Sequence, residues 1–200
     1  MTNKNKNGYR IKSAKTPSEI DDALTHPSQK ALFEFWNETR EQNLTPPTTQ
    51  IDPSRIPHLL KDIAIFDVLD KTKVLYRLAG TSVAERMGID PTGQNVIEML
   101  SPENRQFISE LIEAIVNQPV SILVEYENIY QGGKRTVVES LYLPLGKTEG
   151  TSPRILSTHL QRETIAYEDA QPSTTIGTAI KKIVWIDIGA GIPTIAQAEG

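Results

Sequence analysis

The chain has 200 residues, a formal net charge of −4 and no cysteine. This length predicts one domain, with or without tails. The absence of cysteine excludes disulfides, thiolate catalysis and cysteine-type zinc sites. The sequence contains neither a run of about 18 apolar residues nor a signal-peptide pattern, so we expect a cytoplasmic protein that makes no use of a membrane.

Positive charge is concentrated at the N-terminus. Residues 1–15 contain five lysines and arginines and no acid, which leaves a net charge of −9 for the remaining residues. We expect no nucleic-acid binding by so acidic a body, because phosphate contacts need clustered lysine and arginine. Residues 1–15 are interpreted as a basic disordered tail, with contact to a polyanion as the alternative.

Two helices are predicted within residues 16–43. The segment Thr16–Glu19 forms a capping box with proline at the first helical position, which predicts a short helix. A second helix begins at Pro27 and carries its apolar residues on one side. Phe35 and Trp36 belong to that side, and we interpret them as packing anchors against a sheet or as contacts in a homodimer.

Strands are predicted next. Residues 63–69 form a near-continuous apolar run, which is typical of a strand that is covered on both faces. After a turn, residues 74–79 form the return strand. A short helix over residues 82–87 then precedes the most clearly patterned helix of the sequence, which is capped by Ser101 and ends at Asn117.

The clearest pattern in the chain lies in residues 121–146. Apolar residues recur at every second position in both halves of this segment, which predicts two half-buried strands. Gly132 and Gly133 lie between the halves and supply the positive φ of a short hairpin turn. With a last strand over residues 154–161, the order gives five strands in a 2+3 split, an α+β pattern.

The remaining residues, 166–200, are predicted to be a partly ordered C-terminal tail. Residues 180–188 are apolar enough to form a strand or a short helix, and the sequence does not decide between these two.

Several of these segments resemble the PAS domain, and in particular the single-domain PAS proteins of alphaproteobacteria. The resemblance covers roughly residues 30–162 and includes Trp36 in the leading helix. It is carried mainly by the runs IDPSRIPHLLKDIAIFDVLD (51–70), LYRLAGTSVAERMGIDPTGQNV (75–96), VVESLYLPL (137–145) and RILSTHL (154–160).

The resemblance implies a PAS-like domain over residues 44–165, with a five-stranded antiparallel sheet, helices on one face and an N-terminal helical extension. It implies sensing or protein-protein signalling rather than catalysis, with a signalling protein such as a histidine kinase or a regulator as the partner. We expect action in trans, because the sequence shows no kinase, cyclase or DNA-binding segment. The alternative is a small-ligand binding protein that uses the cavity between sheet and helices.

Five residues are candidates for ligand binding. Tyr76, Tyr126 and Tyr142 could line a pocket with their polar tips, or could serve only in packing. Arg77 and Glu139 are charges within apolar strands, where burial is costly unless the charge is paired. Arg77 could bind a ligand carboxylate, pair with an acid such as Glu139, or reach solvent.

The cofactor stays unknown, because PAS domains bind haem, flavin, small acids or nothing. A flavin adduct of the cysteinyl type needs a cysteine, which this chain lacks. His159 is the candidate axial haem ligand in the sheet, and a hydrogen-bonded structural histidine is the alternative. Three scattered histidines suggest no zinc site, and the common hydrolase, metalloprotease and phosphate-loop motifs are absent, so we expect no enzyme.

Overall fold

The structure, a computed structural model, describes residues 10–147 and 149–194. The helices in these ranges are α1 (Pro17–Ala23), α2 (Pro27–Thr39), α3 (Thr81–Met87), α4 (Val96–Met99) and α5 (Pro102–Asn117). The strands are β1 (Arg10–Ala14), β2 (Ile63–Asp70), β3 (Lys73–Ala79), β4 (Ser121–Ile129), β5 (Lys134–Leu145), β6 (Arg154–Tyr167) and β7 (Thr175–Ile186). Of these helices, none has the length and apolar character needed to cross a membrane.

The strands form one sheet in the order β1-β7-β4-β5-β6-β2-β3. Neighbouring strands are antiparallel throughout, except that β1 and β7 run parallel. The predicted α+β class is confirmed, with β2 and β3 before α5 and β4, β5 and β6 after it. The sheet of the described residues has seven strands rather than the predicted five, because β1 and β7 extend it on one side.

The strands near both ends of the chain differ from the predicted boundaries. Residues 10–14, predicted as part of a disordered tail, form β1 because the free edge of β7 offers them backbone hydrogen bonds that local composition does not reveal. Residues 1–9 of that tail lie outside the described residues. Residues 180–188 belong largely to a strand, since β7 pairs with β4. β6 continues to Tyr167, so the predicted domain end at residue 165 falls inside a strand.

Each face of the sheet is buried by a different group of helices. We call the face under α4 and α5 the inner face, and the face under α2 the outer face. Leu111 and Ile115 of α5 pack on the inner face, in one cluster with residues of α4 and the strands. The predicted N-terminal extension covers part of the outer face, where Leu32 of α2 packs in one cluster with Leu123 and Leu141. The strands therefore carry apolar side chains on both faces, as the continuous run at β2 predicts.

Trp36 is the main anchor of α2 on the outer face. Its side chain is fully buried, at 0% exposure, and its Nε1–H donates a hydrogen bond to the Pro144 carbonyl at 2.8 Å. Phe35 is 5% exposed and belongs to the same apolar cluster. The structure thus places both predicted dimer contacts inside one chain, because the sheet of that chain covers the apolar side of α2. An amphipathic helix alone does not specify which surface covers it.

Replacement of Trp36 tests this anchor. Trp36→Ala should lower the free energy of unfolding by about 3–5 kcal/mol, because it removes a large buried side chain. Trp36→Phe keeps most of the buried area but leaves the Pro144 carbonyl without its donor, so we expect a loss of about 1–3 kcal/mol. Urea unfolding followed by circular dichroism measures both values.

Tyr167→Ala serves as the control, because Tyr167 is 77% exposed and its replacement should change stability by no more than about 0.5 kcal/mol. A Trp36→Ala protein of unchanged stability that elutes at a smaller mass than the wild type would contradict this assignment. That outcome would identify Trp36 as a contact between two copies of the chain.

Candidate functional site

A cavity of about 60 Å³ lies between α5 and the inner face of the sheet. Most of its walls are apolar, and four polar side chains, those of Tyr76, Tyr126, Tyr142 and His159, complete the lining. The apolar part consists of Phe66, Val74, Val96, Leu100, Ile108, Leu111, Ile112, Ile115, Ile122, Val124, Ile155, Ile176, Gly177 and Ile180. Within the described residues, the lining therefore contains no aspartate, glutamate, lysine or arginine.

The periodicity of the surrounding elements places these side chains in the cavity. On α5, the lining residues recur at spacings of three and four from Ile108 to Ile115, so they form one stripe along the helix. On β4, every second residue from Ile122 to Tyr126 lines the cavity, because successive side chains of a strand point to opposite faces. The register of the sheet therefore decides which residues of each strand can reach a ligand.

A chain of hydrogen bonds runs through the polar end of the cavity. The Tyr126 hydroxyl lies 2.9 Å from the Ser140 hydroxyl, which lies 2.9 Å from Nδ1 of His159. On the other side of the imidazole, Nε2 lies 2.8 Å from the Ser157 hydroxyl. The Ser157 hydroxyl also lies 3.2 Å from the Ala64 carbonyl. The four side chains and one carbonyl thus form a continuous network in the interior.

The Ala64 carbonyl fixes the direction of this network. A carbonyl can only accept, so Ser157 donates its proton to Ala64 and accepts from Nε2–H of His159. Nδ1 of a neutral imidazole is then an acceptor. The Ser140 hydroxyl at 2.9 Å is its nearer donor, and the Tyr126 hydroxyl lies 3.3 Å away. Ser140 in turn accepts from the Tyr126 hydroxyl. The Tyr126 proton is therefore used within the protein.

His159 stays neutral in this environment. Burial, with a smaller contribution from the positive charge of Arg86, lowers the pKa of His159 to about 3. Both ring nitrogens are engaged in hydrogen bonds, so neither is free to act as an axial haem ligand. The cavity is also far smaller than the roughly 300–1,000 Å³ of usual ligand pockets. The residues present do not fit a haem, and the structural interpretation of His159 agrees with its contacts.

Two tyrosine hydroxyls of the cavity have at most a weak hydrogen bond to this network. The Tyr142 hydroxyl lies 3.5 Å from that of Tyr126, which is the outer limit of a hydrogen bond. The Tyr76 hydroxyl has no hydrogen-bond partner among the described residues, although Tyr76 is only 3% exposed. Both rings pack against Phe66, with centroid separations of 4.7 Å for Tyr76 and 6.5 Å for Tyr142. Burial raises the pKa of both phenols, to about 12 for Tyr142, so both keep their protons.

The five predicted ligand-binding residues divide between the two faces of the sheet. Tyr76, Tyr126 and Tyr142 come together in the cavity, although they lie on three strands. Arg77 follows Tyr76 and points away from the cavity; its side chain is 52% exposed and lies 3.4 Å from Asp67. The Glu139 side chain is directed to the outer face, where it pairs with a lysine of β7. The proposed pair of Arg77 with Glu139 is thus replaced by two separate ion pairs.

Sequence reasoning missed most of the hydrogen-bonded network. Ser140 and Ser157 received no role, and His159 was considered only as a haem ligand or a structural residue. A signal was present, since Ser157 precedes His159 by two positions in β6, and Ser140 precedes Tyr142 by two positions in β5. That spacing places each pair on one face of its strand. It does not show that both strands direct these residues toward the same point.

The comparison with known proteins identifies the family. A family model described as a PAS domain matches residues 24–159, which is more than half of the chain. The chain belongs to the PAS domain family. PAS domains are sensory or interaction modules, and the described fold places the cavity of this PAS domain between its sheet and its helices, in agreement with the resemblance noted from the sequence.

Solved structures show similarity at low sequence identity. The PAS domain of a protein from Colwellia psychrerythraea is 17% identical, with a TM-score of 0.41, and the match covers 54% of this chain and 94% of that one. The PAS domain of an HTR-like protein from Haloarcula marismortui is 21% identical, with a TM-score of 0.38 and coverages of 54% and 89%. A LOV protein from Rhodobacter sphaeroides is 14% identical, with a TM-score of 0.41 and coverages of 55% and 67%. No curated protein gives a significant match.

Tyrosine-to-phenylalanine substitutions test which hydroxyls are already paired. Tyr126→Phe should lower the free energy of unfolding by about 1–2 kcal/mol, because it removes the donor of Ser140 in a buried network. Tyr76→Phe should leave stability unchanged or raise it by up to about 1 kcal/mol, because its hydroxyl gives up no protein hydrogen bond. Urea unfolding measures both. Equal losses for the two variants would show that the Tyr76 hydroxyl is paired and not open to a ligand.

The pKa of His159 predicts a loss of stability in acid. The unfolded histidine binds a proton below its ordinary pKa of about 6.5, whereas the folded one stays neutral until about 3. The unfolded state therefore binds more protons in this window, and the free energy of unfolding should fall as the pH falls, by up to about 1.4 kcal/mol per pH unit. Urea unfolding at about pH 7, 6 and 5 measures this slope.

His159→Gln should flatten that slope between about pH 7 and 5, because glutamine does not titrate. His58→Gln is the matched control, since His58 is exposed and its replacement should leave the slope of the wild type unchanged. An equally steep slope in His159→Gln would assign the acid sensitivity to other groups.

Proposed function

We propose that this PAS domain is a noncatalytic, cytoplasmic sensor that binds one small molecule in its cavity and signals to a partner in trans. A histidine kinase or a response regulator is the class of partner in this proposal. The observation that carries it is the apolar cavity with one polar end, in which two tyrosine hydroxyls have protons to donate. Such a combination of apolar walls and a few convergent polar groups is typical of ligand sites.

The dimensions of the cavity support a small ligand. One water needs about 10–15 Å³ of such a cavity, so the 60 Å³ present have room for roughly four to six water-sized groups. A larger molecule would have to displace α5. That helix is fixed at its N-terminal end, where the Ser101 N–H donates to Ile176 and the Asn104 amide donates to Gly177, both at 2.8 Å.

β7 connects the cavity with the charged part of the outer face. Ile176 and Ile180 of β7 line the cavity. On the outer face, Lys182 of the same strand lies 2.8 Å from Glu139, and its neighbour Lys181 lies 2.9 Å from Glu127. A ligand that shifts β7 would therefore move these ion pairs as well. This coupling supports a partner that binds the charged part of the outer face and responds to its rearrangement.

The interaction of the PAS domain with a partner in the absence of any ligand is the second candidate. The charged part of the outer face favours it independently of the cavity, because α2 covers only the apolar part of that face. Here Arg135 pairs with Glu127 and with Glu168, and Arg162 lies 3.9 Å from Glu139. The homodimer also stays a prediction, through surfaces other than Phe35 and Trp36.

A cavity-filling variant distinguishes the two candidates. Val124→Phe adds a ring to a side chain that lines the cavity, so it should exclude a ligand from this space. Native mass spectrometry of the wild type, purified without denaturation, should show the chain with one bound small molecule. The Val124→Phe protein should appear without it, while circular dichroism shows that it is folded.

Leu78→Phe is the control, because it adds similar bulk at an exposed position of β3 and should keep the bound molecule. If Val124→Phe fails to fold, Val124→Ile is the substitute. It adds a single methylene to the cavity wall and should lower the fraction of chain with a bound molecule, without abolishing it. If the wild type, Val124→Phe and Leu78→Phe all appear without a bound molecule, and no small molecule stabilises them, the sensor proposal is wrong. The second candidate, an interaction module that needs no ligand, would then be favoured.

A further inference from the structure

The network at the polar end of the cavity also defines the kind of ligand that it accepts. We propose that the cavity selects small neutral molecules that carry a hydrogen-bond acceptor, such as a ketone or an aromatic nitrogen, over carboxylates and ammonium ions. This inference rests on the proposed function of the cavity as a ligand site. It names the chemistry of the ligand rather than its identity.

The direction of the hydrogen bonds leaves protein hydroxyls available as donors, so the ligand has to supply an acceptor. The Tyr126 proton is used by Ser140, since the network ends at a carbonyl that can only accept. The hydrogen bond between the Tyr142 and Tyr126 hydroxyls is long, at 3.5 Å, so the Tyr142 proton is available for a shorter bond. Tyr76 has no partner among the described residues. Tyr76 lines the cavity, so a ligand acceptor there would give its hydroxyl a hydrogen-bond partner.

The rings of Tyr76 and Tyr142 both pack against Phe66, and both residues line the cavity. The ring of Phe66 also lies 5.9 Å from that of His159. A carbonyl oxygen has two lone pairs and can accept from two hydroxyls at once. An acceptor on an otherwise apolar molecule would thus be bound by the phenols, while its hydrocarbon part contacts the apolar walls.

Charged ligands find no counter-charge in the cavity. The lining contains no acidic or basic side chain in the described part of the chain, and His159 is held neutral by its burial and by the nearby charge of Arg86. Arg86 lines only a smaller adjoining space of about 20 Å³. Its guanidinium is already engaged, with the His159 carbonyl at 2.7 Å and Asp62 at 3.6 Å. An ion would lose its hydration in the cavity without compensation.

Four compounds of about six heavy atoms, a size that suits this cavity, test the selection. Cyclopentanone carries an acceptor, methylenecyclopentane has nearly the same shape without one, butanoate is an anion and pyrrolidinium is a cation. Titration of the full chain with each compound, followed by NMR of labelled isoleucine methyl groups, reports binding at the cavity, because seven isoleucines line it. We expect cyclopentanone and methylenecyclopentane to shift these signals and the two ions not to.

The double variant Tyr76→Phe, Tyr142→Phe provides the decisive comparison. It should weaken cyclopentanone binding by about 3- to 10-fold for each hydroxyl that the ketone uses, and should leave methylenecyclopentane as tight as before or tighter. The exposed Tyr167→Phe is the matched control and should change neither affinity. Because the ketone and the hydrocarbon are measured in the same proteins, a general disturbance of the cavity would weaken both.

The outcomes separate this inference from the proposed function. If the hydrocarbon binds but the double variant leaves the ketone affinity unchanged, the acceptor selection is wrong and the ligand cavity stands. Binding of butanoate or pyrrolidinium at the same isoleucines would likewise overturn the selection alone. If none of the four compounds shifts the isoleucine signals, the cavity takes no ligand of this size, and both proposals fail.

Discussion

The pairing of β4 with β5 determines which polar side chains face the cavity of this protein. In the observed register, Val124 lies opposite Ser140 and Glu125 lies opposite Glu139. Side chains alternate between faces, so this register directs Ser140 into the cavity and Glu139 to the outer face. A slip of one residue would bring a carboxylate into the apolar space and remove the hydroxyl that binds His159. The neutral character of the site therefore depends on strand register before it depends on any single side chain.

Burial of both faces makes that register strict. The inner face is covered by α4 and α5, and much of the outer face by α2. A sheet that is exposed on one side can tolerate a polar side chain there, whereas this sheet has apolar clusters on both sides. Trp36 contributes to the same constraint, because its hydrogen bond to the Pro144 carbonyl ties α2 to β5.

The histidine network shows how polar groups can be buried without charge. Each proton from Tyr126 to Ser157 has an acceptor within the protein, and the terminal acceptor is a main-chain carbonyl of β2. A fully satisfied network of this kind is rigid, and an unsatisfied member would be costly. The tyrosines at its margin differ from the rest, since their hydroxyls have weak or no partners in the described chain. Ligand recognition is proposed at these positions for that reason.

Local structure could be predicted from the amino-acid sequence: the capping box at Thr16, the hairpin turn at Gly132 and Gly133, and the alternation in β4 and β5. These depend on interactions between residues that are close in the chain, and the family resemblance added the antiparallel order of the strands. Three features are visible only in the folded chain. β1 pairs with β7, and Arg77 and Glu139 point away from the cavity. Side chains of β4, β5 and β6 also come together in one network, formed by Tyr126, Ser140, Ser157 and His159. Those features depend on the register between strands and on which surface covers each apolar stripe, and no local pattern of residues records either.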